Sequence, residues 1–81
     1  MALPIGKIES PENLGEMIRT RRRELGLSQA DLAGLCGVGT RFVSELERGK
    51  PTARLGLALL VARNLGLVLE VRLREWDGGG P

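Results

Sequence analysis

Residues 27–49 read Leu-Ser-Gln-Ala-Asp-Leu-Ala-Gly-Leu-Cys-Gly-Val-Gly-Thr-Arg-Phe-Val-Ser-Glu-Leu-Glu-Arg-Gly, and this stretch decides the fold. Ser28 is a strong N-cap residue, and Asp31 stands three positions later in capping-box spacing, a shorter stand-in for the usual Glu or Gln. Leu32, Ala33 and Cys36 then share one helical face. Gly37 or Gly39 can supply the positive φ of a tight turn, with the apolar Val38 between them as its anchor in the core. Thr40 is the next candidate cap, Val43 and Leu46 face inward from a second helix, and Gly49 stands where a left-handed residue closes it. Cap, turn glycine and second cap at this spacing predict a helix-turn-helix.

The rest of the chain is read outward from that unit. Residues 1–9 form an extended arm. Ser10-Pro11-Glu12 opens a first helix, with Ser as cap and Pro at the first helical position. Leu14, Ile18, Arg22 and Leu25 fall on one stripe of it, and Gly26 ends it. Thr52 is the expected cap of a last helix in which Leu55, Leu59, Leu60 and Ala62 face the core, and Gly66 closes it. Over residues 67–74 the period changes from 3.6 to 2: Leu67, Leu69, Val71 and Leu73 alternate with Val68, Glu70, Arg72 and Arg74, as in a strand. A lone strand in a helical chain leaves its ladder groups unpaired, so antiparallel pairing with a second copy is expected; folding back on the arm near Ile5 and Ile8 is the alternative. Trp76 and a glycine-rich tail over residues 75–81 follow. The domain is therefore expected over residues 10–74, mainly α, with four helices and one C-terminal strand.

Eighty-one residues permit one domain near the lower size limit for a self-sufficient core. Phe42 and Trp76 are the only aromatics, so that core must be aliphatic, and a core this small gains by dimerising. No apolar run approaches the roughly 18 residues of a membrane span, and no signal-peptide pattern is seen, which favours a cytoplasmic location. One cysteine, Cys36, cannot form an internal disulfide and reads as a small core residue; without histidine, no metal site or cofactor is expected. The chain also lacks tyrosine, a phosphate-binding glycine loop and clustered carboxylates, which leaves enzyme chemistry without a place. Charge is unevenly spread. Residues 19–63 hold nine basic and four acidic side chains, a balance of +5 within a total of +2. That suits a surface facing nucleic acid.

The segment resembles the Cro/repressor (XRE-type) helix-turn-helix family, whose pattern Leu-Ser-Gln-x-x-Leu-Ala, Gly-Val and Ser-x-x-Glu-x-Gly is matched from Leu27 to Gly49, and the continuation Lys50-Pro51-Thr52-Ala53-Arg54-Leu55 also fits. Within the family the chain is most similar to HipB-like antitoxins, because a strand-like segment follows the last helix. The resemblance implies a lambda-repressor-like bundle of four helices with a two-stranded lid shared across a homodimer. It implies base readout by Thr40, Arg41, Ser44 and Glu45 in the major groove, with Arg41 suited to guanine. Glu45 could accept from a cytosine amino group or simply orient Arg41, and Phe42 could touch a thymine methyl or pack on the second helix. Gln29, Lys50 and Arg54 are implied phosphate contacts. Arg22 is implied to pair with Glu47 rather than with DNA, whereas Arg19, Arg21 and Arg23 are expected on the solvated or phosphate-facing side.

The function so implied is that of a homodimeric repressor on a palindromic double-stranded operator, and of an antitoxin to a HipA-like kinase toxin. Trp76 could serve such a partner or pack on its own fold. A stand-alone regulator and a protein-interaction module without DNA binding are the alternatives.

Overall fold

The computed structural model describes residues 6–74, so the start of the arm and the whole tail with Trp76 lie outside the described residues. Four helices follow one another: α1 (Pro11–Glu24), α2 (Gln29–Cys36), α3 (Thr40–Glu47) and α4 (Leu55–Asn64). The first two start where their caps demand. Ser10 Oγ accepts from the Asn13 amide at 3.1 Å, and Pro11 takes the position where an N–H would have gone unused. Ser28 and Asp31 form a complete capping box, each side chain accepting from the other's backbone N–H at 2.9 Å.

The other two starts differ from expectation. Gly39 caps α3 with its backbone alone, which puts Thr40 in the first helical turn rather than in front of it. Residues 51–53 turn back on themselves, with the Ala53 amide donating to the Lys50 carbonyl at 3.2 Å, so α4 begins after Arg54 and Thr52 caps nothing. The inward face of α4 accordingly carries Ala58, Val61 and Ala62, followed by Leu65, whereas Leu55 and Leu59 are 68% and 44% exposed. The stretch Leu55-Gly56-Leu57-Ala58-Leu59-Leu60-Val61-Ala62 is apolar nearly all round, and no periodicity in it selects a face.

Three helix ends share one chemistry. After α1, α3 and α4 the amides of Gly26, Gly49 and Gly66 donate to Arg23, Leu46 and Arg63, and the next amides, of Leu27, Lys50 and Leu67, reach back to Arg22, Glu45 and Ala62. Each is a Schellman closure that satisfies orphan carbonyls. Leu25 falls at the cap position and is exposed, so Leu27, packed against the core, takes the inward place expected of it.

Ile18, Leu32, Val43, Val61 and Leu65 are fully buried and form the centre of the core, with Ala33, Cys36, Leu46 and Ala58 around them. Burial pushes the Cys36 thiol above its usual value, which disfavours the reactive thiolate. Phe42 packs against this core from α3. Beyond Gly66 the described residues form no strand, either with each other or with the arm. Leu67 rests on the core, but Val71 and Leu73 are 100% and 95% exposed. A strand exists only as half of a ladder, and among the described residues the segment 67–74 meets no other half.

α1 and the end of α3 approach each other closely. A Cβ on Gly15 would stand 2.6 Å from the Glu47 carbonyl oxygen and against that of Leu46. Gly49, at φ +84°, lies just as close to Glu12, with its would-be Cβ 2.8 Å from the Glu12 Cα. Two backbones are therefore in contact at positions where any side chain would wedge them apart. Gly15→Ala should improve intrinsic helix propensity by about 1 kcal/mol, yet overpacking of this kind costs about 1–3 kcal/mol. Net destabilisation in urea unfolding is expected; a variant more stable than the wild type would show that the crossing can relax.

Candidate nucleic-acid interface

Arg22 on α1 and Glu47 at the end of α3 are nearly inaccessible to solvent, and the structure brings them together with bidentate geometry. Arg22 Nε donates to Glu47 Oε2 at 2.6 Å and Nη2 donates to Oε1 at 2.9 Å. The remaining nitrogen, Nη1, donates to the Leu27 carbonyl at 2.8 Å, which ties the loop between α1 and α2 into the same site. Gln29, the first residue of α2, donates from Nε2 to Glu47 Oε1 at 3.1 Å. Burial alone would push the Glu47 carboxyl up, but hydrogen bonds from Arg22 and Gln29, with the charges of Arg22 and Arg19, outweigh it and hold the group below its usual range.

Two arginines sit elsewhere than expected. Arg19 is not given over to solvent: its Nε lies 3.6 Å from Glu47 Oε1, with the side chain 40% exposed. Arg21 donates from Nε to the Leu65 carbonyl at 2.9 Å, fastening the end of α4 to α1. Arg23 remains exposed. None of these tertiary roles has a signature in local spacing, because each partner is remote in the chain.

Four of the residues expected to touch DNA lie along α3. Thr40 and Arg41 are exposed, and Ser44 and Glu45 are half-buried one turn further on. Lys50 and Arg54 are exposed in the connection between α3 and α4, and Gln29, half-buried as the first residue of α2, turns its side-chain amide to Glu47. A second charge cluster lies within the group. Glu45 Oε2 accepts from Arg41 Nε at 3.2 Å, and Glu45 Oε1 accepts from Lys50 Nζ at 3.1 Å. The Lys50 hydrogen bond is the main cause that holds the Glu45 carboxyl below its usual range, against the opposing effect of burial and with Arg41 assisting. The Arg41 contact follows from i,i+4 spacing on a helix. The Lys50 contact does not; it arises because the Schellman closure at Gly49 folds Lys50 back onto the last turn.

The family model for helix-turn-helix proteins matches residues 18–71. An uncharacterized HTH-type transcriptional regulator of Sinorhizobium fredii, y4mF, is 43% identical over 65 residues, which cover 80% of this chain and 86% of that protein. A second uncharacterized HTH-type transcriptional regulator, from Methanothermobacter thermautotrophicus, is 44% identical over 50 residues, 62% of this chain and 72% of the relative. Among solved structures, HipB in complex with an O4 20mer aligns with a TM-score of 0.79 at 22% identity, covering 88% of this chain and 100% of that one. A chain of the HipA-HipB-O2-O3 complex gives the same TM-score at 22% identity, again over 88% and 100% of the two chains. At that identity the likeness establishes the fold alone.

The Glu47 site makes stability depend on acidity in a defined direction. The folded state lowers the carboxyl's proton affinity, so its contribution is present above the ordinary glutamate value and is lost as pH falls through the lower folded value. Urea unfolding from about pH 6 to about pH 3 should therefore show falling stability. Glu47→Gln should flatten most of that slope and cost about 3 kcal/mol or more near neutrality by leaving Arg22 unpaired. A residual slope belongs to Asp31, whose carboxyl is lowered by its hydrogen bonds with the Ser28 backbone and side chain, and to Glu45, lowered by Lys50 and Arg41.

Proposed function

The chain belongs to the helix-turn-helix family, and from that premise we propose that it is a sequence-specific DNA-binding transcriptional repressor acting as a homodimer on a palindromic operator. The observation that carries this reading is the exposure of Thr40 and Arg41 at the start of α3, with cationic Lys50 held against the same helix through Glu45. A helix presented in this way fits the major groove, where Arg41 pairs with a guanine edge and Thr40, Ser44 and Glu45 contact neighbouring bases. Lys50 and Arg54 take the flanking phosphates, and Gln29, at the positive end of α2, supports a phosphate there. The naming of both sequence relatives as transcriptional regulators supports the same reading. The protein acts by binding, without catalysis or a cofactor, in the cytoplasm.

On a DNA duplex selected by the wild type from a random pool, Arg41→Ala should lose about 1–3 kcal/mol of affinity and random DNA much less. Replacing Lys50 and Arg54 together by Ala should instead weaken all sequences and flatten the salt dependence by about 0.9 per contact removed. Equal losses on selected and random DNA for Arg41→Ala would reassign it to the backbone.

The homodimer rests on residues 67–74. Their alternation, and the exposure of Val68, Leu69, Val71 and Leu73 in the single chain, suit an antiparallel pair with a second copy, Leu67, Leu69, Val71 and Leu73 covering a shared core. Two recognition helices would then stand about 34 Å apart, one turn of DNA. A chain ending at Gly66 should sediment as a monomer; an intact dimer would move the interface to the helices.

The finer reading is that the protein is the antitoxin of a HipA/HipB-like pair. Its support is the fold likeness to HipB, which in one solved structure stands in a complex with HipA. Trp76 is then the candidate anchor for the kinase partner. The relatives named as HTH-type transcriptional regulators fit the plainer alternative of a stand-alone regulator as well. Co-purification with the product of a neighbouring HipA-like gene, and its loss when residues 76–81 are removed, separates the two.

A further inference from the structure

The carboxylate of Glu45 lies between the two cations best placed to hold DNA, with one oxygen on each. Its side chain is 20% exposed, while those of Arg41 and Lys50 are 89% and 45% exposed, so the anion sits beneath its partners rather than out in front of them. Both contacts are built into the backbone. Arg41 is one helical turn before Glu45, and the amide of Lys50 donates to the Glu45 carbonyl at 3.1 Å, which fixes where the lysine stem starts.

Resting on the DNA-binding reading above, we propose that Glu45 is a specificity latch: it holds Arg41 and Lys50 in the free protein and releases them fully only to a duplex that offers its carboxylate an amino group, that of a cytosine in the major groove. A phosphate approaching this face meets a triad of net charge +1 instead of the +2 that two free cations would present, and it is repelled by the carboxylate between them. Binding is weakened on every sequence alike. The loss is recovered where the Glu45 oxygen gains a base donor in exchange for a cation, because Arg41 then turns to a base edge and Lys50 to the backbone. Exposed ion pairs are individually weak, so the exchange is reversible and small in each step. Its effect is on the difference between right and wrong DNA rather than on affinity as such.

The test compares the wild type with Glu45→Gln, which keeps the shape and removes the charge, on two duplexes of about 20 bp: a random-sequence pool and the sequence the wild type selects from it. On the random pool Glu45→Gln should bind roughly two- to tenfold tighter, with a salt dependence steeper by about 0.9. On the selected duplex it should gain nothing, so the ratio of selected to random affinity falls by the same factor, roughly two- to tenfold. Repeating the selection with Glu45→Gln should erase the cytosine preference at one position of each half-site. Unchanged binding to random DNA, or an equal gain on both duplexes, overturns the latch. A third measurement does not need DNA: in the free protein the Arg41 Nε–H resonance should shift and exchange faster on Glu45→Gln, and no change would also overturn it. A wild type that selects no sequence fails the DNA-binding reading itself, and the free-protein measurement still decides whether the triad forms.

Discussion

The pair between Arg22 and Glu47 is the constraint from which the rest of the structure takes its geometry. Its groups come from α1, from the loop carbonyl of Leu27, from the first residue of α2 and from the last residue of α3, so four segments meet at one carboxylate and one guanidinium. Its value is not primarily energetic. Removing two charges from water costs several kcal/mol per ion, and a well-packed apolar pair of equal volume can match a buried ion pair in stability. What an apolar pair lacks is direction. The guanidinium has a planar fork, and a carboxylate answers it in one orientation, so the end of α3 can stand against α1 in one way only. Removing either partner would leave the other charge buried without compensation.

That orientation is compatible with the close crossing of α1 and α3. Were α1 to carry a side chain at residue 15, the Glu47 carbonyl would be pushed away and the carboxylate with it. Gly15, Gly49 and the ion pair therefore act as one device at three points along α1, with Glu12 against Gly49, Gly15 against Leu46 and Glu47, and Arg22 on the Glu47 carboxylate. The aliphatic core supplies the cohesion and is permissive about direction. The polar site and the two glycines decide which of several similar helix packings is adopted.

How much of this is legible in the sequence follows from the range of each interaction. Ser10-Pro11, the Ser28 and Asp31 box and the closing glycines act over four or five residues, and α1, α2 and the helix ends are readable from them. Thr40 and Thr52 mislead for the opposite reason: the cap position is set by where the preceding turn leaves the backbone, and a favourable side chain one or two residues off does not move it. The face of α4 is hidden because Leu, Val and Ala surround it, and only the shape of the neighbouring helices chooses among them. Arg19 and Arg21 look like free surface charge until the fold puts Glu47 and the Leu65 carbonyl beside them. A period-2 pattern over residues 67–74 states a preference for pairing, but the pairing itself needs a partner strand.

The two carboxylates of α3 show how one residue type is put to contrasting use two positions apart. Glu47 is enclosed, receives donors from Arg22 and Gln29, and has Arg19 nearby; its negative charge is fully committed to the fold. Glu45 meets its cations at the surface, through contacts that water and salt compete for. Their side chains leave a helix about 200° apart, which turns one toward α1 and the other toward the face proposed for DNA. The buried pair fixes where α3 stands, so the surface triad is presented at a defined place and angle. The shared contact of Gln29 with Glu47 extends the same rigidity to the N-terminus of α2. An interface that reads bases needs its donors and acceptors held to within fractions of an ångström. In the proposed reading the ionic network behind α3 provides that stiffness, while the pairs in front of it remain weak enough to exchange.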